Sequence, residues 1–289
     1  MTRSRPSSRR DLLRAGIAAA AIAPAAVSHR LAQAAAAPAA AADPWRGLKV
    51  GVATYTLNRL PLDKALEALK RLDVHYCSIK ESHLPLRSSA AQRKEVAAKF
   101  KAAGVTPLSC GNVGMNDNEA DLRNAFEYAR DAGIPVIVCK PTKASLPTLD
   151  KLVKEFDIKL AIHNHGPEDK VWPTPYEPWE AIQSFDPRIG LCIDVGHTKR
   201  GGVDPAEAIR KCSARLYDLH IKDIDGTQAK SRPTEIGRGV LDIPSILKAL
   251  FDIDFKYHVG IEFEKNLNDP IPGTAESLGY LRGLLVRGV

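Results

Sequence analysis

The chain lacks the marks of several specialised protein classes. Its five cysteines, Cys77, Cys110, Cys139, Cys192 and Cys212, form no C-x-x-C pair and leave one over in any pairing. Four of them lie in apolar, strand-like runs, so buried reduced thiols are expected in place of a disulfide framework. At 44% hydrophobic and 26% charged residues, with no collagen-like or coiled-coil bias, the composition excludes fibrous and disordered chains. No apolar run reaches the roughly 20 residues of a membrane-spanning helix. The run over 15–27 is short, Ala-rich and broken by Pro24.

A basic surface is missing as well. The formal charge is +7, but residues 1–42 hold six arginines against one aspartate, a net +5, leaving +2 for the rest. Binding to nucleic acid by counterion release needs a dense basic patch, so no nucleic-acid partner is expected.

The arginines belong to a leader. Ser8-Arg9-Arg10-Asp11-Leu12-Leu13 precedes the apolar run, and small residues flank Gln33 at Ala32 and Ala34. A charged head, a weakly apolar stretch and a small-x-small pattern make an export signal. The paired arginines ahead of two leucines resemble a twin-arginine signal. Residues 1–42 are therefore read as an export signal with an Ala-rich leader, and 43–289 as a mature domain, periplasmic or secreted, without a membrane anchor. Cleavage after Ala34 or after Ala42 satisfies the small-residue rule equally.

From residue 47 onward, short β-branched runs alternate with amphipathic stretches. Strands are expected near 49–55, 76–80, 106–110, 135–139, 159–163, 189–194, 216–221 and 257–263. Leu62, Ala65, Leu66, Leu69 and Leu72 make one helical face, and Leu122, Ala125, Phe126 and Ala129 another. Gly104 and Gly133 stand where helices end, and Asp204-Pro205-Ala206-Glu207 reads as a helix start. A strand begins about every 30 residues, the length of a βα unit. Eight such units predict an α/β fold, a single-domain (β/α)8 TIM barrel. A doubly wound open sheet would place a Gly-rich turn after the first strand, and Ala53-Thr54-Tyr55-Thr56-Leu57 has no glycine.

In such barrels the chemistry gathers where the strands end. Here the strand ends read Lys80-Glu81-Ser82-His83, Asn112, Lys140-Pro141, His163-Asn164-His165-Gly166, Asp194-Val195-Gly196-His197, His220-Ile221-Lys222-Asp223 and Glu262-Phe263-Glu264. Of the seven histidines after His29, five lie at these ends, and only His75 and His258 do not. Imidazoles and carboxylates converging from separate strands build a divalent-metal site. Packing alone does not account for that bias, although any one of these histidines could be structural.

The ordered series resembles the xylose isomerase-like TIM barrels, described as sugar phosphate isomerases and epimerases, over roughly residues 48–285. The resemblance rests on Ile189-Gly190-Leu191-Cys192-Ile193-Asp194-Val195-Gly196-His197, His220-Ile221-Lys222-Asp223, Gly237-Arg238-Gly239-Val240-Leu241-Asp242 and Ile261-Glu262-Phe263-Glu264. It implies metal ligands at Asp194, His220 and Glu262. The family's fifth-strand glutamate falls on His163. Two imidazoles and two carboxylates suit Mn²⁺, Zn²⁺, Fe²⁺ or Co²⁺ better than Mg²⁺. Losing that glutamate argues against an epimerisation with a matched glutamate on each face of the sugar.

The resemblance implies a metal-dependent isomerase or epimerase acting through an enediolate on an unphosphorylated sugar or keto-sugar, its small-molecule partner. Glu262 is the expected base, with Lys140 and His165 as acid partners. Lys80 or Glu81, His83, Asn112, His197, Lys222, Arg238 and the aromatic loop residue Trp172 are the expected substrate contacts. His165 and His197 could instead be ligands or orient one. Lys140 could be a solvated loop residue, Trp172 or Trp179 could be packing, and the glycines around Arg238 could serve only a turn. Three other readings share the fold. They are a lyase or hydratase on 3-keto-glycosides using the same enolate, a non-catalytic sugar-binding barrel, and a nuclease, which the near-neutral body disfavours. The sequence is compatible with an oligomer without requiring one.

Overall fold

The structure, a computed structural model, describes residues 43–288; the leader, and with it the export reading, lies outside the described residues. Eight strands form the barrel: β1 (Lys49–Ala53), β2 (Tyr76–Ile79), β3 (Thr106–Met115), β4 (Val136–Pro141), β5 (Lys159–His163), β6 (Ile189–Asp194), β7 (Leu216–Ile221) and β10 (His258–Ile261). All pairs are parallel, and the sheet closes in the order β1-β10-β7-β6-β5-β4-β3-β2. The two-residue strands β8 (Asp223–Ile224) and β9 (Pro233–Thr234) make a small antiparallel ladder beyond β7. Helices α1 (Leu62–Arg71), α2 (Ala90–Ala102), α3 (Glu119–Ala132), α4 (Leu146–Phe156), α5 (Tyr176–Ala181), α6 (Val195–Arg200), α7 (Pro205–Lys211), α8 (Ile243–Asp252) and α9 (Ile271–Val286) follow the strands, α6 and α7 sharing one connection. Among the described residues no helix is long and apolar enough to cross a membrane.

Local signals act as expected. The anticipated faces of α1 and α3 are buried, apart from half-buried Leu62 at the start of α1. Gly133 caps α3 at φ 68°, and the Asp204 carboxylate accepts the Glu207 amide at the start of α7. All five cysteines are buried and unbridged.

Alternation along the strands sorts the side chains into two sets. Ile137, Cys139, Leu160, Ile162, Leu191, Ile193, Leu219 and Ile221 join the large core under the helices. Val136, Val138, Ala161 and Cys192 form a separate cluster inside the barrel. On that inner parity, Ala161 leads to His163, Cys192 to Asp194, and Asp218 to His220. The barrel thus narrows on small or polar residues and ends in ionisable ones.

The ends of β1, β3, β4 and β10 differ from expectation: β4 runs on to Pro141, and β1 and β10 stop early for a polar reason. β1 stops at Ala53, because residues Thr54–Leu57 turn into a single 3-10 turn. There the Thr54 hydroxyl accepts the Lys80 amide (2.7 Å) and the Thr56 hydroxyl accepts the Phe263 amide (2.8 Å). The Phe263 amide is thereby taken out of the ladder, which ends β10 early. β3 runs past the expected stop to Met115 through a register shift between Cys110 and Val113, where Gly111 takes φ 121°.

One carboxylate organises the loop after β7. Asp223 is fully buried and accepts the amides of Ile224 (2.9 Å), Gly237 (3.0 Å), Gly239 (3.0 Å) and Leu241 (3.1 Å). A Cβ on Gly239 would lie 2.1 Å from Asp223 Oδ1 and 2.3 Å from the Ile224 carbonyl oxygen. The Gly-Arg-Gly motif is therefore the mould for Asp223. Replacing Asp223 with Ala strands four buried or half-buried amides, and such groups cost about 1–3 kcal/mol each when unpaired. Asp223→Ala is expected to lose at least about 3 kcal/mol of stability in urea denaturation; a loss below about 1 kcal/mol would contradict this account.

Candidate metal centre

His163, Asp194, His220 and Glu262, each within one residue of the end of its strand, each offer a ligand atom, and all four atoms lie within 4.8 Å of one another. His163 Nε2 is 2.9 Å from His220 Nδ1 and 3.5 Å from Asp194 Oδ2. His220 Nδ1 is 3.9 Å from Asp194 Oδ2 and 3.5 Å from Glu262 Oε2. Ligands about 2.1 Å from a tetrahedral ion are separated by about 3.4 Å, so these edges fit one cation. Asp194 Oδ2 is fully enclosed and faces both imidazoles of the cluster.

The neighbouring chain fixes this arrangement. Asp194 caps α6: its Oδ1 accepts the His197 amide (2.8 Å), which turns Oδ2 toward the cluster. Asn164 accepts the Asp194 amide (3.0 Å) and donates to the Thr198 hydroxyl (3.1 Å), tying the end of β5 to the end of β6. Lys222, its side chain 3% exposed, places Nζ 2.9 Å from Asp194 Oδ2, 2.6 Å from Glu262 Oε2 and 2.5 Å from Glu264 Oε1.

Burial penalises every charge here, and the neighbours decide which charges survive. For Asp194, His197 and Lys222 overcome burial; for Glu262, Lys222 and His220 do so; both carboxyls sit well below their usual range. Glu264 is raised, burial being the main cause. Burial lowers His163 and takes His197 down to about 4. His220 runs the other way: burial opposes its proton, but Glu262, Asp218 and Asp194 push it up to about 9.

A second polar chain lies beside the cluster, the His163 and His165 rings being 4.5 Å apart. Asn112 Nδ2 approaches His165 Nε2 at 2.7 Å, and His165 Nδ1 lies 3.4 Å from Asp169 Oδ2. This network assigns the ring proton to Nδ1. Asp169 Oδ2 also meets Lys140 Nζ at 2.6 Å, while its Oδ1 accepts the amides of Val171 (2.8 Å) and Trp172 (3.2 Å). His165 is driven down to about 3, by burial first and by His163 next, and is neutral at physiological pH. Lys140, exposed, reaches the site only through Asp169.

Three expected substrate contacts are corrected. Trp172 is fully buried and donates its indole N–H to the Pro141 carbonyl (2.7 Å), so it packs the loop. His83 is buried, with both ring nitrogens engaged by the Thr54 hydroxyl (3.0 Å) and the Leu60 carbonyl (3.1 Å). Arg238 is exposed and turned away to Glu276 on α9 (2.8 Å). Lys222 stands among the ligands. Of the pair at the end of β2, Lys80 lies over the Tyr55 ring at 5.2 Å, whereas Glu81 lines a small recess with Asn112 and Tyr128.

The sequence reading missed Tyr55, Asn164 and Asp169. Tyr55 is raised by burial and then by the charges of Glu264 and Glu262, which places it at the same mouth. It follows the first strand directly, and that position was the available signal. Beside Glu264 a cleft of about 470 Å³ opens, lined by Asp225, Arg232, Pro233, Thr234, Glu264 and Lys265.

Because His220 is pushed up to about 9 by Glu262, Asp218 and Asp194, a divalent ion bound through its ring at neutral pH would have to displace that proton. Mn²⁺ binding at pH 7 is expected to release about one proton and to tighten as pH rises toward 9. Calorimetry in buffers of different ionisation enthalpy reads this directly; binding without proton release contradicts the assignment of His220.

Residues 62–284 match the family model described as xylose isomerase-like TIM barrel. Inosose dehydratase of Geobacillus kaustophilus is 27% identical over 131 residues, 40% of this chain and 42% of that one. The match spans less than half the length of the curated relatives. Among solved structures, 3-keto-D-glucoside 4-epimerase (YcjR) of E. coli has a TM-score of 0.68 at 16% identity, covering 82% of this chain and 99% of that one. The IolI protein, solved with a bound zinc atom, has a TM-score of 0.66 at 19% identity, covering 83% and 97%. At these identities the two structures share the fold. The family match covers most of the chain and the closed eight-stranded barrel agrees with it, so this protein belongs to the xylose isomerase-like TIM barrel family.

Proposed function

We propose that this protein is a divalent-metal-dependent enzyme that removes the proton beside the carbonyl of an unphosphorylated keto-sugar, and so isomerises or epimerises it. The observation that carries this reading is the convergence of His163, Asp194, His220 and Glu262 within 4.8 Å, with the Asn112–His165–Asp169 chain alongside. The zinc in the IolI structure and the keto-sugar named for YcjR support it. A divalent ion on these four residues, Mn²⁺, Zn²⁺, Fe²⁺ or Co²⁺ in preference to Mg²⁺, would supply Lewis acidity toward sugar oxygens.

The protein's own groups supply the proton transfers. Glu262 stays ionised beside Lys222 and His220, with 12% of its side chain exposed, and is the base. His165 carries its proton on the side of Asp169, whose carboxylate stabilises the charge the ring gains on accepting another. Lys140 balances Asp169 in turn. Tyr55 and Lys80 offer a hydroxyl and an ammonium to sugar hydroxyls on the Glu264 side of the mouth. The arginine-containing leader adds the proposal that the enzyme works in the periplasm or outside the cell, where an unphosphorylated sugar is the accessible substrate.

The mismatch between the two proton-transfer groups favours a second reading. One is a carboxylate and the other a neutral imidazole on a carboxylate, an unequal pair compared with the matched bases of a two-faced epimerisation. Elimination needs one strong base and one acid for the leaving group, so a lyase or hydratase acting on 3-keto-glycosides fits the same residues. The dehydratase among the relatives supports it.

The test is solvent deuterium exchange into a panel of keto-sugars and 3-keto-glycosides, with and without chelator. Deuterium is expected at one carbon, lost on chelation and restored by Mn²⁺. Glu262→Gln should slow exchange by about 10²–10⁴-fold. His165→Ala should slow net conversion about 10²-fold while leaving exchange measurable. Binding without exchange on every panel member would replace this proposal with a sugar-binding barrel.

A further inference from the structure

We propose that Lys222 is a built-in competitor of the divalent ion: ammonium and ion take the same pair of carboxylate oxygens in turn, and Glu264 receives the ammonium when the ion is bound. The inference rests on the metal reading above and adds a residue that governs it.

The argument is one of shared oxygens. Lys222 Nζ lies 2.9 Å from Asp194 Oδ2 and 2.6 Å from Glu262 Oε2. These are the oxygens that face His163 Nε2 at 3.5 Å and His220 Nδ1 at 3.5 Å. An ion held about 2.1 Å from both oxygens would share them with the ammonium at close range, and two cations on one oxygen pair repel. The third partner of Nζ, Glu264 Oε1 at 2.5 Å, is outside the ligand set. It lies two residues past Glu262, more exposed at 28% of its side chain, and lines the open cleft. A short movement along the flexible stem therefore keeps the ammonium paired.

Two further features fit this exchange. Gly196 leaves room for the stem: a Cβ there would stand 2.8 Å from both Cγ and Cδ of Lys222. Charge stays compensated in both arrangements, which a 3% exposed ammonium and a fully buried Asp194 require. The consequence is a centre whose ion is held less tightly than its four ligands alone would hold it.

The experiment titrates the full chain and its variants with Mn²⁺ by calorimetry at one pH and follows melting with and without the ion. In Lys222→Met the dissociation constant should fall about tenfold or more, and Mn²⁺ should raise the melting temperature by more than in the unmodified protein. Glu264→Gln removes the ammonium's outer partner and should weaken Mn²⁺ binding by several-fold; it decides the matter if Lys222→Met does not fold. An unchanged or higher dissociation constant in Lys222→Met, or unchanged affinity in Glu264→Gln, overturns the competition while leaving the metal reading intact. Failure of Mn²⁺ to bind the unmodified protein and every variant overturns both.

Discussion

The mouth of this barrel depends on keeping two carboxylates ionised where water is scarce. Asp194 is fully buried and Glu262 nearly so, yet both are held in the charged form by imidazoles and by one ammonium. Isolated charges at such depth would protonate or destabilise the fold, so each needs a partner at contact distance. That requirement explains why Lys222 is drawn in among Asp194, Glu262 and Glu264. It also explains why His220 and His163, 2.9 Å apart, differ so sharply in basicity. His220 faces Glu262 and Asp218, whereas burial dominates at His163.

Around this charged centre, loops are held by side chains that take up main-chain amides. Asp223 gathers four amides, Asp169 two, and Thr54, Thr56 and Asn164 one each across strand ends. Each satisfies a main-chain amide beyond the reach of the ladder or at its edge. The loops beside the candidate site are therefore tied down by hydrogen bonds from buried side chains, the condition for holding a fixed geometry there. Asp169 joins the two tasks, binding loop amides through one oxygen and facing His165 through the other.

Much of this was legible in the sequence because strand periodicity is a local property. The βα spacing gave the barrel, and inner parity carried His163, Asp194, His220 and Glu262 to one place. Trp172, His83 and Arg238 were misplaced because residue type and loop position do not say which way a loop side chain turns. Trp172 has an apolar ring and one donor; the core took the ring and the Pro141 carbonyl accepted the N–H. Arg238 found Glu276 about one and a half turns into α9, a pairing of distant segments that no spacing announces. Asp169 and Tyr55 were missed for a related reason: each sits in a loop, and only the fold shows that it faces Lys140 and His165, or Glu262 and Glu264.

The imidazole at position 163 has a consequence for the field at the centre. Two carboxylates and two neutral imidazoles sum to a charge of minus two, so a divalent ion among them would make an electroneutral unit. A third carboxylate in place of His163 would leave a surplus negative charge there and blunt the ion's pull on electrons. With an ion held there, the histidine would leave more of its charge to act on a ligand oxygen and would spare a negatively charged ligand a repulsion from a third carboxylate.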